Sequence, residues 1–249
     1  MAEIIVNGVK TNYLQAGEGK PLIILHGWGS CSERWTKEVE IISAKGFKVI
    51  VPDLPGFGAS DKLAGPWRIN DYIRWLESFT KELGIETFYL LGHSFGGALA
   101  VKMAVKYPQR VKKLFLVSAA IIREKTAKKD VAKKVSKVVK IFKFMPFYKF
   151  FRKAVYKFII RKSDYVYTEG VMKETYLNVI SDDVSFNLGF IRVPTIIIWG
   201  DKDQSTPVED AYTAKEKIKN SKLVIVPGAT HLIHKEMPEV LSDKILENL

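Results

Sequence analysis

The run Gly92-His93-Ser94-Phe95-Gly96-Gly97 carries the sharpest chemical signal in the chain. A serine hydroxyl is a weak nucleophile until a base takes its proton and a third group orients that base. A serine on a tight strand-to-helix turn has a strained backbone and crowds its neighbours two positions away. Glycine at both of those positions relieves the crowding and leaves Oγ exposed above the sheet. Here the motif follows the apolar run Phe88 to Leu91 and opens a helical stretch at Phe95. That helix start aims free N–H groups and its positive end at the place where an oxyanion would form.

The base must be one of four histidines: His26, His93, His231 or His234. His231 closes Pro227-Gly228-Ala229-Thr230-His231, the loop after the last predicted strand, on the carboxyl edge that would also carry Ser94. His234 is its rival, three residues on. His93 adjoins the serine, so its side chain is expected to point elsewhere, and His26 reads as a buried hydrogen-bonding residue. For the acid, Trp199-Gly200-Asp201-Lys202-Asp203 offers two carboxylates at another strand end. Either could hold an imidazole in the required tautomer, the other then capping the turn, and spacing alone does not choose.

The elements that would position these residues alternate. Apolar, β-prone runs are Leu22 to Leu25, Lys48 to Val51, Phe88 to Leu91, Lys113 to Val117, Thr195 to Trp199 and Lys222 to Val226. Helical stretches are Ser32 to Lys45, Asn70 to Leu83, Phe95 to Tyr107, Val208 to Lys219 and Pro238 to Asn248. Near-continuous apolar strands between helices predict an α/β protein, a mostly parallel sheet covered on both faces. Glu3 to Gln15, with Asn7-Gly8 at its middle, predicts an antiparallel hairpin on one edge. The rhythm breaks after residue 118, where Val131, Val135, Val138 and Phe142, then Phe147, Phe150, Phe151, Ala154 and Phe158, recur at helical spacing. The reading is a core of residues 1–118 and 191–249 with a helical cap at 119–190.

At 249 residues, with 47% hydrophobic and 27% charged content, the chain is globular and long enough for a sizeable core. The single cysteine, Cys31, excludes an internal disulfide framework and a cysteine-rich zinc site. No apolar run is long enough to span a bilayer, and Met1 to Lys10 lacks the pattern of a signal peptide, so a soluble cytoplasmic protein is expected. The net charge is +12, and Ile121 to Lys162 alone holds 15 Lys/Arg against Glu124 and Asp130. One region therefore carries the whole imbalance.

Taken together, His26-Gly27-Trp28-Gly29, Asp53 to Ser60, Gly92 to Gly97, Gly200-Asp201-Lys202-Asp203, and His231 with Glu236 and Pro238 resemble the α/β-hydrolase family. They stand in the family's order of nucleophile, acid and histidine. The resemblance implies a catalytic triad of Ser94, Asp203 and His231, favouring Asp203 over Asp201 because the family's acid usually lies three residues after the strand-ending glycine. It implies an oxyanion hole from the N–H groups of Trp28 and Phe95, a supporting role for Asp53 and the Gly56 to Ser60 loop, and no metal or organic cofactor. Thr230 departs from the glycine usual before the histidine. Ser94, where epoxide hydrolases and haloalkane dehalogenases of this fold have aspartate, argues against both. Gly29 and Leu232 reduce the match to the haloperoxidase and carbon–carbon hydrolase branches.

The implied activity is carboxylic ester hydrolysis through an acyl-enzyme, the Phe, Val and Ile content of the cap suggesting a small-molecule ester with an apolar acyl group. The His26 to Gly29 and Asp53 to Ser60 stretches also resemble the biotin-pathway methyl esterase that acts on a pimeloyl group held by acyl carrier protein. A cationic cap would attract an acidic carrier protein, or, with its interleaved phenylalanines, an anionic membrane surface. No nucleic-acid motif accompanies the charge. A triad-retaining small-molecule receptor is the alternative of a different class.

Overall fold

The computed structural model describes residues 1–122 and 169–249. It contains one eight-stranded sheet: β1 (Ala2–Val6), β2 (Val9–Ala16), β3 (Lys20–Leu25), β4 (Phe47–Pro52), β5 (Phe88–His93), β6 (Val111–Val117), β7 (Thr195–Gly200) and β8 (Ser221–Val226). The spatial order is β1-β2-β4-β3-β5-β6-β7-β8. From β4 to β8 every neighbouring pair is parallel. β1 and β2 add antiparallel to that edge, turning through Asn7 and Gly8 with φ of 51° and 79°. Positive φ at both turn residues matches the right-handed twist of the strands, and Asn-Gly tolerates it best.

Apart from the edge strand β8, which is only half-buried, the parallel strands are largely buried on both faces, and their side chains divide by alternation. Ile23, Leu25, Leu114, Leu116, Ile197 and Trp199 enter one core layer, while Leu22, Ile24, Phe115, Val117, Ile196 and Ile198 enter the other. The first layer is closed by α2 (Ile69–Glu82), α3 (Phe95–Lys106) and the alanines of α5 (Val208–Lys217). The second is closed by α1 (Thr36–Ser43), α6 (Ile233–Glu236) and α7 (Pro238–Leu246). Each buried Leu or Ile of this kind contributes about 1.5–3 kcal/mol. The sequence reading merged Ser32 to Lys45 into one helix, but Ser32–Trp35 is a 3-10 turn ahead of α1, started without a side-chain cap at Cys31.

Between β6 and β7 the described residues hold no strand, only α4 (Gly170–Ser181) and a 3-10 helix at Val184–Phe190. The apolar stripes from Val131 to Phe158 and all 15 cations of the basic segment lie outside the described residues. So do the expectations that rest on them, an acidic carrier protein or an anionic membrane surface. Among the described residues no helix is long and apolar enough to cross a membrane.

Asp53 staples the loops below the carboxyl edge. Its Oδ1 accepts the Ser32 N–H at 2.6 Å, and its Oδ2 accepts the Ala59 N–H at 2.8 Å and the Asn12 amide at 2.9 Å. Burial works against the charge, but these donors hold the carboxyl below the usual aspartate range. Asp53→Ala would strand three donors, and we expect a loss of about 3–5 kcal/mol in urea unfolding at pH 7. Because the folded-state pKa is depressed, this contribution is present above about pH 4 and fades as acid protonates Asp53.

Candidate active site

Ser94 stands between β5 and α3 at φ 52° and ψ −117°, a left-handed backbone that few non-glycine residues adopt. The turn is too tight for side chains on either side: a Cβ on Gly92 would strike the Gly96 carbonyl, and one on Gly96 would strike the Leu25 carbonyl. Ser94 itself remains half-buried.

His231 reaches Ser94 from the loop after β8. Its Nε2 lies 3.0 Å from Ser94 Oγ and its Nδ1 lies 2.8 Å from Asp203 Oδ2. The carboxylate fixes the tautomer: Nδ1 carries the proton, and Nε2 is left as acceptor toward the serine hydroxyl. Asp203 comes from the turn after β7, and its side chain is fully buried. Burial opposes its charge, yet hydrogen bonds from His231 and Thr206 hold the carboxyl below the ordinary aspartate value. The other acid, Asp201, is spent elsewhere, its Oδ1 accepting the Gly228 N–H at 2.7 Å. Three dimensions thus separate two carboxylates that spacing could not.

The remaining histidines lie behind the site. His93 donates its Nε2–H to the His231 carbonyl at 2.9 Å and so steadies the loop that carries His231. His234 is buried, its ring stacked on Trp35 at 4.8 Å. His26 donates from Nδ1 to the Gly27 carbonyl at 2.8 Å and accepts the Leu54 N–H on Nε2 at 3.0 Å. Desolvation disfavours the charged form of each, lowering His26 and His234 to about 4 and His93 well below its ordinary value.

Around Ser94 the wall is aromatic. Trp28 meets Phe57, Phe95 and, from α4, Tyr176 edge to face at 4.9, 5.4 and 5.1 Å. Gly27 brings this loop against the serine, close enough that a Cβ there would sit 3.3 Å from Ser94 Cβ. Among the described residues the N–H groups of Trp28 and Phe95 donate to no protein acceptor. The described residues contain no cluster of three metal-ligating side chains.

Two threonines escaped the sequence reading. Thr206 touches both Asp203 and His231; the Asp-x-x-Thr spacing from Asp203 was its available signal, since an Asp often caps the turn that follows it. Thr230, noted only as a departure from glycine, donates to Glu236 at 2.8 Å and accepts the Leu232 N–H at 3.2 Å. It thereby pins the start of α6 beside His231.

Sequence comparison matches residues 20–144 and 137–238 to a family described by the α/β-hydrolase fold. Among curated relatives, Lipase 1 of Psychrobacter immobilis is 27% identical over 92% of this chain and 77% of the lipase. A 2-hydroxy-6-oxo-6-(2'-aminophenyl)hexa-2,4-dienoic acid hydrolase of Metapseudomonas resinovorans is 28% identical over 97% of this chain and 88% of its own length. Among solved structures, a serine hydrolase involved in carbazole degradation superposes with a TM-score of 0.73 at 26% identity, covering 99% of this chain and 97% of that one. Fold, site geometry and sequence match converge, and the chain belongs to the α/β-hydrolase fold family, as a hydrolase.

Proposed function

We propose that this hydrolase cleaves carboxylic esters through an acyl-enzyme on Ser94. The observation that carries the reading is the continuous line from Asp203 through His231 to Ser94 Oγ, at 2.8 and 3.0 Å. His231 Nε2 takes the hydroxyl proton as Oγ attacks the ester carbonyl, and Asp203 stabilises the resulting imidazolium. The N–H groups of Trp28 and Phe95 receive the developing oxyanion, each worth about 2–4 kcal/mol in the transition state. His231 then protonates the departing alkoxide. In the second half it takes a proton from water, which releases the acyl group and restores Ser94. The aromatic wall around Trp28 favours an apolar acyl group over a charged one.

The second reading follows the dienoic acid hydrolase, a relative of comparable identity. The same serine and histidine could serve cleavage of a carbon–carbon bond next to a ketone.

The test is initial-rate hydrolysis of p-nitrophenyl esters from acetate to palmitate beside a 2-hydroxy-6-oxo-dienoate, with an organophosphonate label to locate the nucleophile by mass. Ester turnover with the label on Ser94 is expected. Turnover of the dienoate alone would replace ester hydrolysis by carbon–carbon cleavage. Labelling without turnover of either would favour a receptor.

A further inference from the structure

We infer that Thr206 is a positioning residue for the Asp203–His231 pair, holding both oxygens of the carboxylate in the orientation that receives the imidazole proton. The inference rests on the assignment of Ser94, His231 and Asp203 as the catalytic triad.

An ionised carboxylate has about four acceptor sites, and each of the four around Asp203 has a donor. Oδ1 accepts the backbone N–H of Ser205 at 2.8 Å and that of Thr206 at 2.9 Å. Oδ2 accepts Nδ1–H of His231 at 2.8 Å and the hydroxyl of Thr206 at 2.8 Å. Thr206 is the residue that grips both oxygens. Rotation of the carboxylate about its Cβ–Cγ bond would break both of its bonds at once.

Thr206 is itself held. It is buried, and its carbonyl accepts the indole N–H of Trp199 at 2.9 Å. Its Oγ1 also lies 3.2 Å from the carbonyl of Ser118, a residue at φ 44° just beyond β6. A β-branched side chain is stiff about χ1, so the hydroxyl has little freedom to leave. The same Oγ1 is 3.2 Å from His231 Nδ1, so the oxygen that donates to Asp203 also flanks the proton it helps to place.

The test compares wild type with Thr206→Val, which keeps shape and backbone N–H but loses the hydroxyl, and Thr206→Ser, which restores it. In wild type, proton NMR at low temperature should show a far-downfield Nδ1–H resonance and a slowly exchanging Thr206 hydroxyl proton with a cross-peak to it. In Thr206→Val the downfield resonance should move or broaden, and kcat on the best ester should fall about tenfold with KM unchanged. Thr206→Ser should recover both. Absence of the hydroxyl cross-peak in wild type overturns the inference without any variant. So does a valine variant with an unmoved resonance and unchanged kcat, or a serine variant that fails to recover. The resonances are read without substrate, so a wild type inactive on esters would sink ester hydrolysis while leaving the Thr206 result legible.

Discussion

Ser94→Ala is expected to lower ester turnover by about four orders of magnitude or more, leaving a small rate from substrate binding and the oxyanion donors. The loss is large because Oγ is both the attacking atom and the group on which the acyl intermediate forms. Asp203→Asn is expected to cost about 10⁴-fold. An asparagine that offers its amide N–H to Nδ1 would favour the tautomer with the proton on Nε2, the nitrogen that must accept from Ser94. Asp201→Asn should retain wild-type turnover, because among the described residues the Asp201 side chain bonds only the Gly228 N–H, which an asparagine Oδ1 accepts as well. Combining Ser94→Ala with Asp203→Asn should fall little below Ser94→Ala alone, since the groups act as one unit. Parallel kcat/KM measurements on the preferred p-nitrophenyl ester check all four. An Asp201 variant as crippled as the Asp203 variant would overturn the acid assignment.

The second large effect lies away from the site, at Glu38 on α1. Its side chain is fully buried against α7, and neither carboxylate oxygen has a hydrogen-bond partner among the described residues. Desolvation, with a smaller push from the negative charge of Glu239, raises its pKa from 4.5 to about 8. Unfolding between these two values releases a proton, so Glu38 makes stability decline as pH rises from about 4.5 to 8, by about 3–5 kcal/mol in total. The buried histidines act in the opposite sense. With folded-state pKa values of about 4 for His26 and His234, and with burial holding His93 well below its ordinary 6.5, folding must shed protons that the unfolded chain binds below 6.5. Stability therefore rises with pH up to about 6.5, where three histidines outweigh one glutamate, and falls beyond it. Chemical denaturation from pH 4.5 to 9 should give a maximum near pH 6.5. Glu38→Met should abolish the fall on the alkaline side and stabilise the protein at pH 8. An unchanged alkaline limb in that variant would mean that Glu38 is ionised in the folded state.

The strands could be read from the sequence because a parallel strand buried on both faces is written as an unbroken apolar run, and Thr195–Gly200 is the clearest case. Ser94 could be read because its backbone strain demands glycines at set positions. The choice between Asp201 and Asp203 could not be read from spacing, since both follow the same strand end and only the path of the β8 loop decides which meets an imidazole. The family pattern supplied the preference. Thr206 stayed hidden for a different reason. A threonine three residues after an aspartate reads as turn chemistry, and nothing in one dimension reveals that its hydroxyl also reaches Ser118 and His231. The basic segment was legible as charge and as helical spacing, and it lies outside the described residues.

The strand order carries a consequence for how the molecule comes into being. Ser94 and His231 are 137 residues apart in sequence, yet they meet across strands that stand in parallel register from β3 to β8. Parallel pairing rewards the chain only after long loops have closed, so such sheets assemble slowly and late. Neither half of the chain holds both the nucleophile and its base. Partly folded forms can be rich in helix and still lack a functioning centre. During refolding, recovered turnover therefore marks the joining of the strands from β3 to β8, whereas recovered helicity marks only the formation of local pieces.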